Sequence, residues 1–218
     1  MKYSHIILDF NGTILDDVWA GINSLNVLLS RRNMPLIDSV KKYHSFFRFP
    51  IIEYYRAVGF DIDGEGYDVL AHEWVEQYMK FSAESKMYDG VTDVLKELKR
   101  RGAKLVMLTM TERAMLEKQL IPLGIRDYFD DIVGLDNIYA ESKVDIGKQW
   151  IKLAKPARAL LIGDTTHDYE VACAMGIDCI LLAQGHNSKE KLCACGVPVF
   201  DTILEVLDYE SISRDGLI

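Results

Sequence analysis

Short apolar runs ending on a carboxylate or a hydroxyl alternate along this chain with stretches whose apolar positions recur every three to four residues. Ile6-Ile7-Leu8 runs into Asp9, Leu105-Val106-Met107-Leu108 into Thr109, and Ala159-Leu160-Leu161-Ile162 into Gly163-Asp164. Consecutive branched or long apolar residues suit strands buried on both faces of a parallel sheet. Ile132-Val133, Cys179 to Leu182 and Val197 to Phe200 are further strand candidates. Between these runs lie helical patterns. Val91, Val94, Leu95 and Leu98 share one face, with Lys96, Lys99, Arg100 and Arg101 mostly on another and Gly102 placed as the C-terminal cap. Met115, Leu116 and Leu120 line a second helix, which Thr111 is placed to cap. Ile146, Trp150 and Leu153 line a third, opened by Lys143, and a fourth runs from about Asp168 to Met175. Strands alternating with helices predict an α/β fold with a doubly wound parallel sheet.

The stretch from about Asp16 to Ser82 departs from this rhythm. Val18, Ile22, Leu25, Leu28 and Leu29 recur at helical spacing up to Asn33 and Pro35. Further helices are expected over about Asp38 to Phe47, after Pro50, and from about Tyr67 to Phe81, with Gly59 to Gly66 as a loop and no strand pattern. An all-helical insertion between two strands of one sheet predicts a small domain of residues 16–82 on a core of residues 1–15 and 83–218.

Composition narrows the function. The 218 residues have room for such a core and insertion. Lys and Arg number 25 against 33 Asp and Glu, and a net charge of -8 argues against nucleic acid or an anionic membrane as the partner. No apolar run approaches the roughly 18 residues of a transmembrane helix and no signal-peptide pattern is present, which predicts a cytoplasmic protein. Cys173, Cys179, Cys193 and Cys195 lack His neighbours at zinc-finger spacing, and the close pair Cys193 and Cys195 reads as reduced thiols. Nothing specifies an oligomeric state.

The chemistry concentrates where the apolar runs stop. Ligands of open α/β sheets bind outside the carboxyl ends of the strands, where Asp9, Thr109 and Asp164 fall. Gly12 allows a sharp exit from the first strand and a close backbone approach to a ligand, although Asp-Phe-Asn-Gly also reads as a plain turn.

His5 to Asp17 reads HIILDFNGTILDD, and its DFNGT resembles the first motif of the haloacid dehalogenase superfamily, Asp-x-Asp-Gly-Thr or Val, with Asn11 in place of the second Asp. Thr109 fits that family's second motif, Lys143 the third, and Gly163-Asp164-Thr165-Thr166-His167-Asp168 the fourth, Gly-Asp-x-x-x-Asp. The motifs occur in the family's order and span nearly the whole chain. The insertion lies where the family carries its α-helical cap, and the resemblance is strongest to the phosphoglycolate-phosphatase-like branch.

The resemblance implies a phosphatase acting on a small phosphorylated metabolite through an aspartyl phosphate. A carboxylate attacks phosphorus only when the charges are screened, so a hard divalent cation, Mg²⁺, is expected. Asp9 would be nucleophile and metal ligand, Asp164 a second ligand, the backbone carbonyl of Asn11 a third, and Asp168 a nearby one or only a helix cap. Thr109 with the amide of Met110, and Gly12, would bind the phosphoryl oxygens. Lys143, with Lys148 as the fallback, would neutralise them. His167 reads as loop surface. Arg48, among Phe46, Phe47 and Phe49, would hold a distal anionic group of the substrate or simply reach to water.

Asn11 leaves the function open. In the family's phosphatases the second Asp protonates the leaving group and then activates water; an amide does neither. Positioned acid-base catalysis is worth about 10² to 10⁴ in rate, so its loss slows a phosphatase without abolishing it. Two alternatives stand: a slow or inactive sensor that binds phosphate and Mg²⁺, and other superfamily chemistry on carbon-phosphorus or carbon-halogen bonds. For the phosphonate case, Lys41 and Lys42 lie in the insertion but match no Schiff-base motif.

Overall fold

The architecture is taken from a computed structural model, which describes residues 2–139 and 142–212. In chain order the elements are β1 (His5–Leu8), β2 (Leu15–Asp16), α1 (Val18–Arg31), α2 (Val40–Phe46), α3 (Ile51–Val58), α4 (Ile62–Glu65), α5 (Tyr67–Phe81), β3 (Lys86–Met87) and α6 (Val91–Arg100). They continue with β4 (Lys104–Glu112), α7 (Arg113–Leu123), β5 (Asp131–Leu135), α8 (Val144–Ala154), β6 (Ala159–Gly163), α9 (Thr166–Met175), β7 (Asp178–Leu182), α10 (Lys189–Cys193), β8 (Val199–Phe200) and α11 (Glu205–Ile212).

The main sheet is six-stranded, in the order β5-β4-β1-β6-β7-β8, with every pairing parallel. β1 is central because Ile6, Ile7 and Leu8 are buried on both faces. Ile6 and Leu8 pack with Val94, Leu98 and Leu116 on one side, while Ile7 packs with Leu161, Val171 and Leu181 on the other. This two-sided burial is what the unbroken apolar run anticipates. Leu8 lies level with Met107 of β4 and Ile162 of β6, so Asp9, Thr109 and Asp164 emerge together at one end of the sheet.

The helices of residues 18–81 build a core of their own. Ile22, Leu25, Leu28, Tyr43, Tyr54, Tyr55 and Leu70 form a cluster separate from the two that sandwich the sheet. α5 runs over Tyr67–Phe81, as its periodicity predicts. The chain enters and leaves this unit through a two-stranded antiparallel ribbon, β2 with β3, detached from the main sheet.

Several expectations need correction. The ribbon begins within a stretch expected to be free of strands; two-residue strands leave no readable periodicity. The loop from Gly59 to Gly66 contains α4, a single turn capped by Asp61. Thr111 does not cap α7; Glu112 does, accepting from the amides of Ala114 and Met115. β4 does not end at Thr109 but continues to Glu112 through an irregularity between Leu108 and Glu112. That irregularity turns Thr109, Met110 and Thr111 toward the site rather than along the ladder.

Candidate functional site

Three buried carboxylates, Asp9, Asp164 and Asp168, gather beyond the carboxyl ends of β1 and β6, with one oxygen of each within 4.8 Å of the others. Two glycines make room for them. Gly12 has φ +71°, and a Cβ there would stand 2.2 Å from Asp164 Oδ2. At Gly185 a Cβ would stand 2.1 Å from the same atom. Asp164 itself accepts from Thr13 Oγ1 at 3.0 Å and from the His186 amide at 2.7 Å. Asp168 sits in the first turn of α9, where Thr165 and Asp168 form a reciprocal capping box.

Lys143, immediately before α8, is 2 % exposed and carries the compensating charge. Its Nζ lies 2.6 Å from Asp9 Oδ1, 2.7 Å from Asp168 Oδ1 and 3.0 Å from the carbonyl oxygen of Leu108. Lys143 faces two of the three carboxylates, Asp9 and Asp168, and the cluster is left short of positive charge. Burial, reinforced by Asp168, pushes the Asp9 carboxyl up to about 6 against the pull of Lys143. Burial pushes Asp164 up to about 8, His186 offsetting only part, while Asp168 and Asp9 add to the rise. At Asp168 burial is outweighed by Lys143 and the Thr165 hydrogen bonds, so its carboxyl lies below the ordinary range. A site of crowded, oxygen-only, buried donors fits a hard divalent cation, which would relieve the repulsion.

Beside this cluster lies a second buried network that the sequence reading missed. Asp17 precedes α1 yet makes no capping bond to it. Its Oδ1 instead accepts from the Gly12 amide at 2.8 Å and lies 3.2 Å from His186 Nε2. Its Oδ2 accepts from Tyr78 Oη at 2.6 Å and from Asn11 Nδ2 at 3.0 Å. Burial would raise the Asp17 carboxyl, but His186 and these donors hold it below its usual range. Burial would likewise lower the imidazole of His186; Asp17 and Asp164 overcome it and raise it to about 9. Tyr43 Oη lies 2.8 Å from the other ring nitrogen. Asn11 is clamped within this network: its amide also donates to Tyr78 Oη at 2.6 Å, and its Oδ1 accepts from Thr111 Oγ1 at 2.6 Å. An amide fits because it can donate toward Asp17; a carboxylate would face another carboxylate there.

Residues 6–182 match the haloacid dehalogenase-like hydrolase family. The chain belongs to the haloacid dehalogenase-like hydrolases. It is 26% identical over 192 residues to a phosphoglycolate phosphatase of Caulobacter vibrioides, covering 84% of this chain and 81% of that protein. Among solved structures, a haloacid dehalogenase-like hydrolase of Streptococcus pneumoniae superposes with a TM-score of 0.78 at 21% identity, over 95% of this chain and 98% of the other. The protein tyrosine kinase A of Mycobacterium tuberculosis superposes at 0.80 with 24% identity, over 96% and 99%. Membership of the hydrolase family implies a divalent metal, for which the carboxylate triad offers ligands.

The structure brings most of the residues singled out in this hydrolase's sequence to one cavity. Asp9, Asn11, Thr109, Met110 and Lys143 line it, and Gly12, Asp164 and Asp168 adjoin its floor. Lys143, not Lys148, is the lysine that reaches Asp9. Arg48 is not brought there. It is exposed and spends its guanidinium on the carbonyl oxygens of Phe46 and Ser45, because the turn after α2 points it outward while Phe47 packs inward. His167 is no surface residue: it is 5 % exposed, its ring lies 5.0 Å from that of Phe49, and its Nε2 accepts from the Lys143 amide at 3.4 Å. Asp17 was legible only as a helix-start acid. His186 had one local signal, a Gly-His pair shortly after a buried strand.

Proposed function

We propose that this chain is a phosphatase that hydrolyses a small phosphomonoester with Mg²⁺ through an aspartyl phosphate on Asp9. The observation that carries the reading is the Asp9-Lys143-Asp164-Asp168 cluster at the carboxyl end of the central strand, where Lys143 holds Asp9 by one oxygen. The similarity to phosphoglycolate phosphatases supports it. Residues 1–15 and 83–218 form the catalytic core, and residues 16–82 the cap that covers it. The carboxylates of Asp9, Asp164 and Asp168 and the backbone carbonyl of Asn11 hold the metal. Mg²⁺, when bound, neutralises the phosphoryl oxygens and the carboxylates beside them.

Asp9 attacks phosphorus and the bond to the ester oxygen breaks, the oxygen leaving with the electron pair. Lys143 keeps Asp9 oriented and balances charge on the phosphoryl group, which Thr109, Gly12 and the Met110 amide receive. Water then cleaves the acyl phosphate, releasing phosphate and regenerating Asp9. The exposed thiols of Cys173 and Cys193 suit a reducing, cytoplasmic setting.

Asn11 favours a second reading, a module that binds phosphate and Mg²⁺ but turns over slowly. The discriminating experiment is a panel of phosphomonoesters assayed with Mg²⁺ and with a chelator, alongside calorimetric titration with inorganic phosphate. Metal-dependent hydrolysis supports the phosphatase. Phosphate binding with no turnover of any ester supports the binding module and overturns the phosphatase.

A further inference from the structure

Above the carboxylate cluster the cavity opens between cap and core, with a volume of about 130 Å³. Phe49, Tyr54, Tyr67, Trp74, Met110 and Met115 supply most of its upper wall. Trp74 lies flat on Tyr78, with ring centroids 4.7 Å apart and planes 9° from parallel. The Tyr54 hydroxyl and the Trp74 indole nitrogen are buried and meet no hydrogen-bond partner among the described residues, so this wall joins its rings to two neutral donors and carries no cation.

Among the described residues lining the cavity, the groups that could hold a distal carboxylate or second phosphate are already committed, and His167 faces Glu170. Lys143 faces Asp9 and Asp168. His186 faces Asp17, and Arg48 is turned away. Glu112, also on the cavity wall, adds negative charge. A small dianionic substrate would find little to bind beyond its reacting phosphoryl group.

The second constraint is at Asn11. Both of its polar atoms are occupied, and neither can supply an acidic proton to the ester oxygen. An oxygen that leaves without general-acid help must be a weak base, as a phenol oxygen is and an alkyl alkoxide is not.

We infer that the substrate is an aryl phosphate, a phosphomonoester whose leaving group is an uncharged aromatic alcohol seated among these rings. The inference rests on the phosphatase reading and names its substrate class. In the step, Asp9 bonds to phosphorus and the phosphorus–oxygen bond breaks. The phenolate departs with that electron pair and takes its proton from solvent. Flat aromatic walls favour a planar occupant through stacking and apolar burial.

Binding and turnover test this separately. The intact chain with Mg²⁺ is titrated calorimetrically with phenylphosphonate, 2-naphthylmethylphosphonate, methylphosphonate and phosphonoacetate, none of which has a cleavable ester. Burying one or two rings predicts roughly tenfold to hundredfold tighter binding of the aryl probes than of methylphosphonate or phosphonoacetate. In Trp74→Leu that preference shrinks. Turnover is then compared for phenyl phosphate, 2-naphthyl phosphate, glycerol phosphate and phosphoglycolate, with the aryl esters expected to lead in kcat/KM. Tighter binding of phosphonoacetate, equal binding of all four probes, or binding of none overturns the inference. So does a higher kcat/KM for phosphoglycolate, an outcome that leaves the phosphatase reading intact. Aryl-selective phosphonate binding with no ester turned over supports the pocket's selectivity and removes the phosphatase reading.

Discussion

Replacing Asn11 with Asp restores the carboxyl of the family's first motif but sets it against Asp17. At the 3.0 Å between Asn11 Nδ2 and Asp17 Oδ2, two full charges repel by about 5 kcal/mol at an effective dielectric constant of about 20. His186, 3.2 Å from the other oxygen of Asp17, already neutralises part of that charge, which brings the penalty to roughly 2 to 5 kcal/mol. The pair escapes it by keeping a proton, which places its upper titration well above the ordinary carboxylate range. The folded variant thus holds a proton that the unfolded chain releases near pH 4. Relative to the native protein its stability falls as pH rises from about 4, and the difference levels off above the pair's raised upper titration. Below that plateau the retained proton is a general acid, so the rate on glycerol phosphate should rise by about 10² while that on naphthyl phosphate changes little. Urea unfolding of both proteins at several pH values, with steady-state kinetics on both esters, reads these effects. A stability difference that does not vary with pH refutes the contact with Asp17. Fresh native protein that hydrolyses glycerol phosphate as fast as the variant does refutes the assignment of position 11. Asn11-Gly12 is prone to deamidation, so mass spectrometry of that peptide accompanies the assay.

Asp9→Asn should abolish turnover while circular dichroism and phosphate titration stay near native; more than a small residual activity, with deamidation excluded by mass spectrometry, counts against Asp9 as nucleophile. Lys143→Met leaves Asp9 and Asp168 buried against each other without their cation, a loss of about 3–5 kcal/mol in denaturant unfolding at neutral pH; a loss below about 1 kcal/mol would contradict the geometry. The metal-free protein should lose stability between about pH 4 and 8, because Asp164, raised to about 8, keeps a proton in the folded state that the unfolded chain has released. His186, raised from 6.5 to about 9, contributes stability that fades between about pH 6.5 and 9 and extends the loss. Mg²⁺ requires deprotonated ligands, so its thermal shift should grow with pH across that window, and a shift that shrinks as pH rises would count against the site. Met115→Arg puts a cation in the aromatic wall and should narrow the affinity gap between phenylphosphonate and phosphonoacetate, read by the same calorimetry.

Local order was legible in the chain itself, because burial on two faces requires unbroken apolar runs and burial on one face of a helix requires a period near 3.6. Ile6-Ile7-Leu8, Leu105 to Leu108 and Ala159 to Ile162 marked three adjacent strands, and the carboxylates or hydroxyl that end them fell together because parallel strands place their carboxyl ends at one edge. Gly12 was legible too, since a positive φ against a neighbouring side chain leaves room for little else. What the tertiary structure alone decided was which polar groups meet across the chain. Asp17 and His186 are separated by 169 residues, and neither was singled out in the sequence; packing alone brought the imidazole to the carboxylate. His167 looked like surface until Phe49 of the helical insertion packed on it, and Arg48 was open between a substrate anchor and a side chain reaching to water until the turn after α2 aimed it outward at its own backbone. Asn11 shows the division within one side chain. The sequence marks an amide where a carboxylate is usual, and only the fold shows a second buried carboxylate 3.0 Å away, against which an amide is the group that can donate.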